Sequence, residues 1–198
     1  MDEKIFLLAS YSGRIAGSPD AFEEAKNKLI ILNSGQMIPR LESALSQMKE
    51  GQEIEIPLAP REAFGERDPS LIRIVPESVF MGQNIRPVPG QVLTLNDAYA
   101  KIKTVSSGRV MADFNHPLSG ECLTYSLKLE KILSQKKEKI EALARDMGMD
   151  AEATEDGEKI SLKVKNAPKV KSYKEAKQVL EAVMKGFFPE IKTIEFSE

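Results

Sequence analysis

An α+β fold is predicted by three features of the sequence. Strand-like runs flank one short amphipathic helix near the N-terminus, a proline-punctuated series of short strands follows, and helical and strand patterns mix again after residue 134. With 198 residues, 41% hydrophobic and 29% charged, the chain is long enough for one good core or two modest ones.

"KIFLLASYSGRI" is apolar and β-prone, and reads as an opening strand that turns near Gly13. "SPDAFEEAKNK" reads as a turn or short helical piece, and Leu29 to Leu32 as a buried strand. After a turn through Asn33 to Gly35, a helix is expected with Leu41, Leu45 and Met48 on one face. Pro39 suits its first turn, where a missing N–H costs nothing, and it pushes Ile38 towards an extended conformation. The Ile38 amide then lies at the helix mouth, free to donate outward. Met37 and Ile38 are either plain core residues or a grip on an extended peptide, and periodicity does not decide between them. "QEIEIPL" alternates as the next strand.

The middle of the chain reads as a small β meander, with Ile102, Val105 and Val110 alternating around a Ser106-Ser107-Gly108 turn. Pro76, Pro87 and Pro89 limit the length of any one strand. "CLTYSLKLEKIL" places Leu123, Tyr125, Leu127 and Leu129 on one face and suits closing the first sheet, so the middle piece reads as an insertion. A small sheet with a meagre core exposes apolar side chains and an unpaired strand edge, to which an extended client can add. Beyond it, "SQKKEKIEALARDMGMD" reads as a helix with Ile140, Leu143 and Met147 on one face, ended near Gly148. "EKISLKVKNAP" is a strand, "SYKEAKQVLEAVMKGFFPE" a serine-capped helix with Ala176, Leu180, Val183 and Met184 in register, and "KTIEFSE" a last strand. This helix and β-α-β module has about 65 residues and is marginal alone. Its Phe187, Phe188 and apolar stripe must pack on something, and a homodimer through this module is one candidate arrangement.

With 28 basic and 30 acidic residues, the net charge of −2 gives no bulk attraction for phosphate backbones, so nucleic acid is not the expected partner. Lys163, Lys165, Lys169, Lys171, Lys174 and Lys177 form a basic stretch that is most often a solvated face and more rarely an RNA or ribosome contact. A lone cysteine, Cys122, and the lack of a signal peptide or long apolar span point to a reducing cytoplasm and no membrane. One histidine, His116, in an "NHP" turn setting, and one cysteine assemble neither a metal cluster nor a nucleophilic set. Both read as structural, and no metal or cofactor is expected.

"YSGRI", "FE", "GQMIPRLESAL", "AFGERDPSLIRIVPESVF" and "DFNHPLSG", in that order, resemble the FKBP-type peptidyl-prolyl isomerases over about the first two-thirds of the chain. They look most like the SlyD-like branch and the longer archaeal members. The resemblance implies an antiparallel half-barrel sheet wrapped on a short helix, with a small chaperone domain inserted in its flap and a C-terminal α/β module. The implied boundaries are 1–66 with 114–133 for the isomerase domain, 67–113 for the insertion and 134–198 for the module. It implies a proline pocket lined by Tyr11, Phe22, Met37, Ile38, Leu41, Phe64 and Tyr125, with Leu118 at the edge, and gives the Ile38 amide to the substrate carbonyl before proline. It further implies that Ile72, Ile74, Val75, Val79, Phe80, Met81, Val92, Leu93, Leu95 and Tyr99 offer an apolar surface to unfolded clients, although any one of them can instead fill the insertion's own core. The histidine- and cysteine-rich metal tail of some relatives is absent.

Rotation about an amide faces a barrier of about 18–20 kcal/mol, most of it lost resonance. Binding the twisted amide better than either planar form lowers it without a nucleophile. Three departures weaken the expected activity: Glu23 stands where the family usually has aspartate, Phe64 where it has the tyrosine of "AYG", and Arg40 where it has glycine. A lost neutral hydrogen bond is worth about 0.5–1.5 kcal/mol, around tenfold in rate. The expectation is therefore a slowed peptidyl-prolyl isomerase with chaperone activity on unfolded or proline-containing chains. The alternative is a holdase or assembly factor with a degraded pocket.

Overall fold

The computed structural model describes residues 4–95, 97–165 and 172–197. Contacts divide the chain into two compact units. The first takes the N-terminus to Gly13, Ala21–Ile56 and everything from Tyr125 onwards; the second takes Arg14–Asp20 and Pro57–Thr124. By contacts, then, residues 57–66 and 114–124 group with the insertion.

β1 (Phe6–Ile15) opens with a continuous apolar run because both its faces are covered: Leu7 and Ala9 are buried on one side, Phe6 on the other. It runs straight through Gly13, and the chain reverses later, near Gly17, whose φ of 83° is left-handed. β2 (Ala21–Ile31) replaces the turn or helical piece expected at Ser18 to Lys28. "AFEEAK" has helical composition, but it lies on the outer strand of the sheet, largely exposed, where pairing with β1 outweighs local propensity. Asn27 interrupts β2 with a φ of 50°, and its N–H donates to Ser10 Oγ at 3.0 Å. α1 (Pro39–Gln47) buries Leu41 and Leu45, with Met48 buried just past its end. β3 (Glu53–Leu58) follows.

The second unit carries β4 (Ile72–Pro76), α2 (Glu77–Met81), β5 (Val92–Leu95), β6 (Ala98–Ser106) and β7 (Arg109–Asp113). The strands form an antiparallel sheet in the order β4-β7-β6-β5. Ser107 and Gly108, both left-handed, make a two-residue hairpin loop between the paired Ser106 and Arg109. α2 was not expected within a meander. Its Phe80 is fully buried against Leu95, Ala100, Ile102, Val110 and Ala112. Phe80 and Leu95, assigned to a client-binding surface from sequence, are thus core residues, and Val75 and Leu93 pack half-buried against the same cluster. A domain this small spends its largest apolar side chains on its own interior.

β8 (Leu123–Leu133) buries Leu123, Tyr125, Leu127 and Leu129 in strict alternation and completes the first sheet, ordered β2-β1-β8-β3. α3 (Lys136–Asp146) ends before Gly148, φ 78°. β9 (Ala151–Asp156) was not foreseen, since Ala151 and Ala153 are its only apolar residues. It pairs antiparallel with β10 (Lys159–Val164), which lies parallel to β11 (Thr193–Ser197) across the helix α4 (Tyr173–Phe187). Ser172 sits at the head of α4 in a left-handed conformation with no side-chain capping bond, so the expected serine cap is a position without the interaction. Lys169, Lys171 and the end of the expected "EKISLKVKNAP" strand lie outside the described residues.

The C-terminal module shares one core with the first sheet. Phe6 joins Ile140, Met149, Leu162, Leu180 and Met184, and Leu8, Leu29 and Ile31 pack against them. Phe6 meets Phe187 edge-on at 5.1 Å and stacks on Phe188 at 6.0 Å. The module's apolar residues thus find their cover in their own chain and do not by themselves call for a second copy. Several of its lysines are engaged: Lys165 pairs with Glu152 at 2.5 Å, Lys159 with Glu195 at 2.8 Å, and Lys177 lies over the Phe196 ring at 4.7 Å.

Candidate functional site

Of the residues implicated from sequence, Tyr11, Phe22, Glu23, Met37, Ile38, Leu41 and Tyr125 fall in the first unit, and Phe64 and Leu118 in the second. At the mouth of α1, Ile38 is extended (φ −56°, ψ 125°), as the following proline requires. Its carbonyl accepts from Leu41 N at 2.9 Å and Glu42 N at 3.1 Å. Among the described residues its own N–H has no acceptor, so it remains available to a ligand carbonyl. Met37 and Ile38 are half-buried, and Leu41, one turn into the helix, is 2% exposed.

The aromatic part is organised around a residue without a side chain. A Cβ on Gly13 would lie 2.7 Å from Phe22 Cζ and 2.9 Å from the Tyr125 ring. Gly13 therefore lets Phe22 and Tyr125 close edge-to-face over β1, centroids 5.9 Å apart at 80°. Phe22 remains 37% exposed while Tyr125 is buried, so Phe22 offers ring surface to solvent. The Tyr125 hydroxyl donates to Glu23. Burial, followed by the bond to Glu23 and that residue's charge, raises the Tyr125 phenol well above its usual range. Burial and the charge of Glu23 also raise Tyr11, against a smaller opposing effect of Lys28. Both phenols are neutral at physiological pH. Sequence reasoning placed Glu23 among the site residues, as a departure from the usual aspartate, without its bond to Tyr125, and it missed Gly13; a glycine inside the apolar run of β1 was the available signal.

In the second unit Phe64 stacks face-to-face on His116, centroids 4.3 Å apart and planes 6° from parallel. His116 Nδ1 accepts from Leu118 N at 3.2 Å. Ser119 Oγ donates to the Phe64 carbonyl at 3.1 Å and Gly120 N to the Gly65 carbonyl at 2.9 Å. His116 does sit in a turn, but its ring also covers Phe64. On the inserted sheet, Ile74 and Met111 are paired across β4 and β7 and both exposed, with Ile74 at 63%. Tyr99 (73%), Met81 (58%) and Val92 (56%) are exposed too. Met111 and Val88 belong with these exposed residues and were not picked out from sequence. Ile72 is half-buried and Val79 at the border of exposure.

The first unit thus contains two pieces, the exposed Phe22 ring held on Tyr125 with its neutral phenol, and the outward Ile38 amide beside half-buried Met37. Among the described residues no group of three or more His, Cys, Asp or Glu side chains is placed to hold a metal ion. No described helix is long and apolar enough to cross a membrane.

A half-wrapped antiparallel sheet over a proline-opened helix, with a second sheet inserted, defines a class of amide-rotating folding enzymes. Residues 3–81 match the family model "FKBP-type peptidyl-prolyl cis-trans isomerase", and residues 73–118 match "FKBP26, IF domain". The chain is 33% identical to the FKBP-type peptidyl-prolyl cis-trans isomerase SlyD of Helicobacter pylori, covering 71% of this chain and 80% of the relative. It is 30% identical to the short-type peptidyl-prolyl cis-trans isomerase of Methanocaldococcus jannaschii over 52% of this chain and 65% of the relative. A probable FKBP-type 16 kDa isomerase of Pseudomonas fluorescens is 32% identical over 50% and 67%. The chain belongs to the FKBP-type peptidyl-prolyl cis-trans isomerases, the family and enzyme class expected from its motifs.

Proposed function

We propose that this isomerase acts on X–Pro bonds of unfolded polypeptides that its inserted sheet holds. Tyr11, Phe22, Met37, Ile38, Leu41 and Tyr125 receive the prolyl ring, and the Ile38 amide takes the carbonyl that precedes it. Apolar walls disfavour the more polar planar amide relative to the twisted one, while the single donor fixes the carbonyl. Glu23 keeps Tyr125 in place, and Phe64 and Leu118 keep the roles the family resemblance gives them. Functional boundaries at 1–66 with 114–133, 67–113 and 134–198 are part of this reading, as is a reducing cytoplasm, with which the free, exposed Cys122 agrees.

The observation that carries the holding function is the exposed face of the inserted sheet, where Ile74, Met111, Tyr99 and Val92 stand clear of the core. Exposed apolar side chains beside an unpaired edge strand take extended clients with little demand for sequence, and methionine adapts to irregular partners. Holding a client raises the effective concentration of its prolines and offsets a weak site. A triple variant, Ile74→Ser, Tyr99→Ser and Met111→Ser, alters only exposed positions. It should accelerate refolding of a proline-limited protein less than wild type while turning over a proline tetrapeptide equally well; equal acceleration of the protein substrate would refute the holding role.

The second reading, a holdase with a degraded pocket, keeps one point in its favour: Phe64 lacks the hydroxyl of the tyrosine that the family resemblance puts there. Glu23→Asp combined with Phe64→Tyr separates the two. A rise in isomerisation supports the enzyme reading, and a rate unmoved by this pair and by Tyr11→Ala supports the holdase.

A further inference from the structure

Where the chain enters and leaves the inserted sheet, the two segments beyond the strand ends are held side by side by side chains as well as by backbone bonds. Asp113, the last residue of β7, is 2% exposed and forms an ion pair with Arg67 on the incoming segment. Its Oδ1 accepts from Asn115 N at 3.1 Å and from Asn115 Nδ2 at 2.8 Å, and Lys103 Nζ stands 3.9 Å from Oδ2. Asn115 in turn takes Asp68 N on its Oδ1 at 2.8 Å and donates through Nδ2 to the Asp68 carbonyl at 2.9 Å. Phe114 N donates to the Leu71 carbonyl at 3.0 Å. His116 is the next residue after Asn115, and Phe64 lies three residues before Arg67.

We propose that Arg67, Asp113 and Asn115 form a clasp whose task is to hold the Phe64–His116 stack in register, and that they are positioning residues for Phe64. A buried carboxylate is tolerated only with compensating charge and donors, and Asp113 draws both from the two crossing segments at once. The two segments continue directly into Phe64 and His116, whose rings touch face-to-face with no covalent or hydrogen-bonded tie between them. The Ser119 and Gly120 bonds hold the backbones beside Phe64 and Gly65 together, but they leave the tilt of the two rings to the clasp, so opening it lets one ring shift against the other. The consequence for catalysis rests on the role proposed above for Phe64.

His116 is the sole histidine, so its two ring-carbon protons are unambiguous reporters. Stacked on Phe64, they are shifted upfield by the ring current, and Phe64→Leu sets the unstacked position. Asp113→Asn with Arg67→Gln removes both charges together, leaving no orphaned ion, which keeps the variant folded as judged by cooperative thermal unfolding. Arg67→Gln alone, on a partly exposed residue, is the second probe. Both should move the His116 signals at least halfway to the Phe64→Leu position and lower kcat on a proline tetrapeptide about tenfold with KM little changed. A clasp needed only for stability would be restored by the double change, and His116 signals at the wild-type position there overturn the inference. Signals that move while kcat holds, although Phe64→Leu lowers kcat, also overturn it as a positioning role. If Phe64→Leu itself leaves kcat intact, the proposed role of Phe64 fails, while the signal shift still decides whether the clasp holds the stack.

Discussion

The carboxylate of Glu23, on the outer strand β2, accepts a hydrogen bond from the hydroxyl of Tyr125, which stands on the buried side of β8. Glu23 thus gives a partner to a phenol that burial alone would leave without one.

This pair has an alkaline signature. The Tyr125 phenol is raised above its ordinary value of about 10, first by burial and then by Glu23. The unfolded chain loses that proton first, so above about pH 10 the folded chain binds more protons than the unfolded one. The contribution to stability is full below that pH and is lost as pH climbs towards the folded value. Urea midpoints measured from about pH 9 to 11 should fall in wild type and fall less steeply in Tyr125→Phe. Parallel slopes would contradict the assignment.

Gly13→Ala places a methyl group within contact-violating distance of both Phe22 and Tyr125. Tyr125 is locked in the core, so Phe22, the exposed partner, is the ring that moves. The expected result is a rise in KM for a proline tetrapeptide, with a loss of stability of about 1–3 kcal/mol from overpacking. Unchanged KM with a folded protein would show that Phe22 does not touch the substrate.

Phe80 and Ile74 lie six residues apart and should behave oppositely. Phe80→Ala empties the centre of the inserted domain and should cost about 3–5 kcal/mol, whereas Ile74→Ala, at an exposed site, should stay within about 0.5 kcal/mol. Denaturant titration of each variant checks this, and a severe loss in Ile74→Ala would contradict the exposed face.

Removing residues 134–198 should uncover Phe6, Leu8, Leu29 and Ile31 on the first sheet. A truncated chain is expected to melt earlier and to aggregate, as read by differential scanning fluorimetry and light scattering. A soluble truncated chain with the wild-type melting temperature would mean the module is not part of that core.

The helix α1 was legible because Pro39 marks its start and Leu41, Leu45 and Met48 recur at helical spacing. β8 was legible because its alternation is unbroken over eight residues. β2 was not, since a mostly exposed outer strand needs no apolar periodicity and its Glu and Lys residues imitate a helix. β9 escaped because its inward residues are alanines. For the candidate site, the aromatic and helix-mouth residues stood out by type and order, whereas Gly13 and the Glu23–Tyr125 bond depend on which strands become neighbours. On the inserted sheet the apolar pattern marked Leu95 and Ile74 alike, and only the strand pairing separates the inward residue from the outward one.

The proposal that α1 opens as a peptide-binding mouth meets its most direct test in a titration of the whole chain with a proline-containing tetrapeptide, followed by amide chemical shifts. A saturable downfield shift of the Ile38 amide, with smaller changes at Tyr11, Phe22 and Leu41, is the predicted outcome. Saturable shifts elsewhere that leave Ile38 and its neighbours unmoved would contradict it.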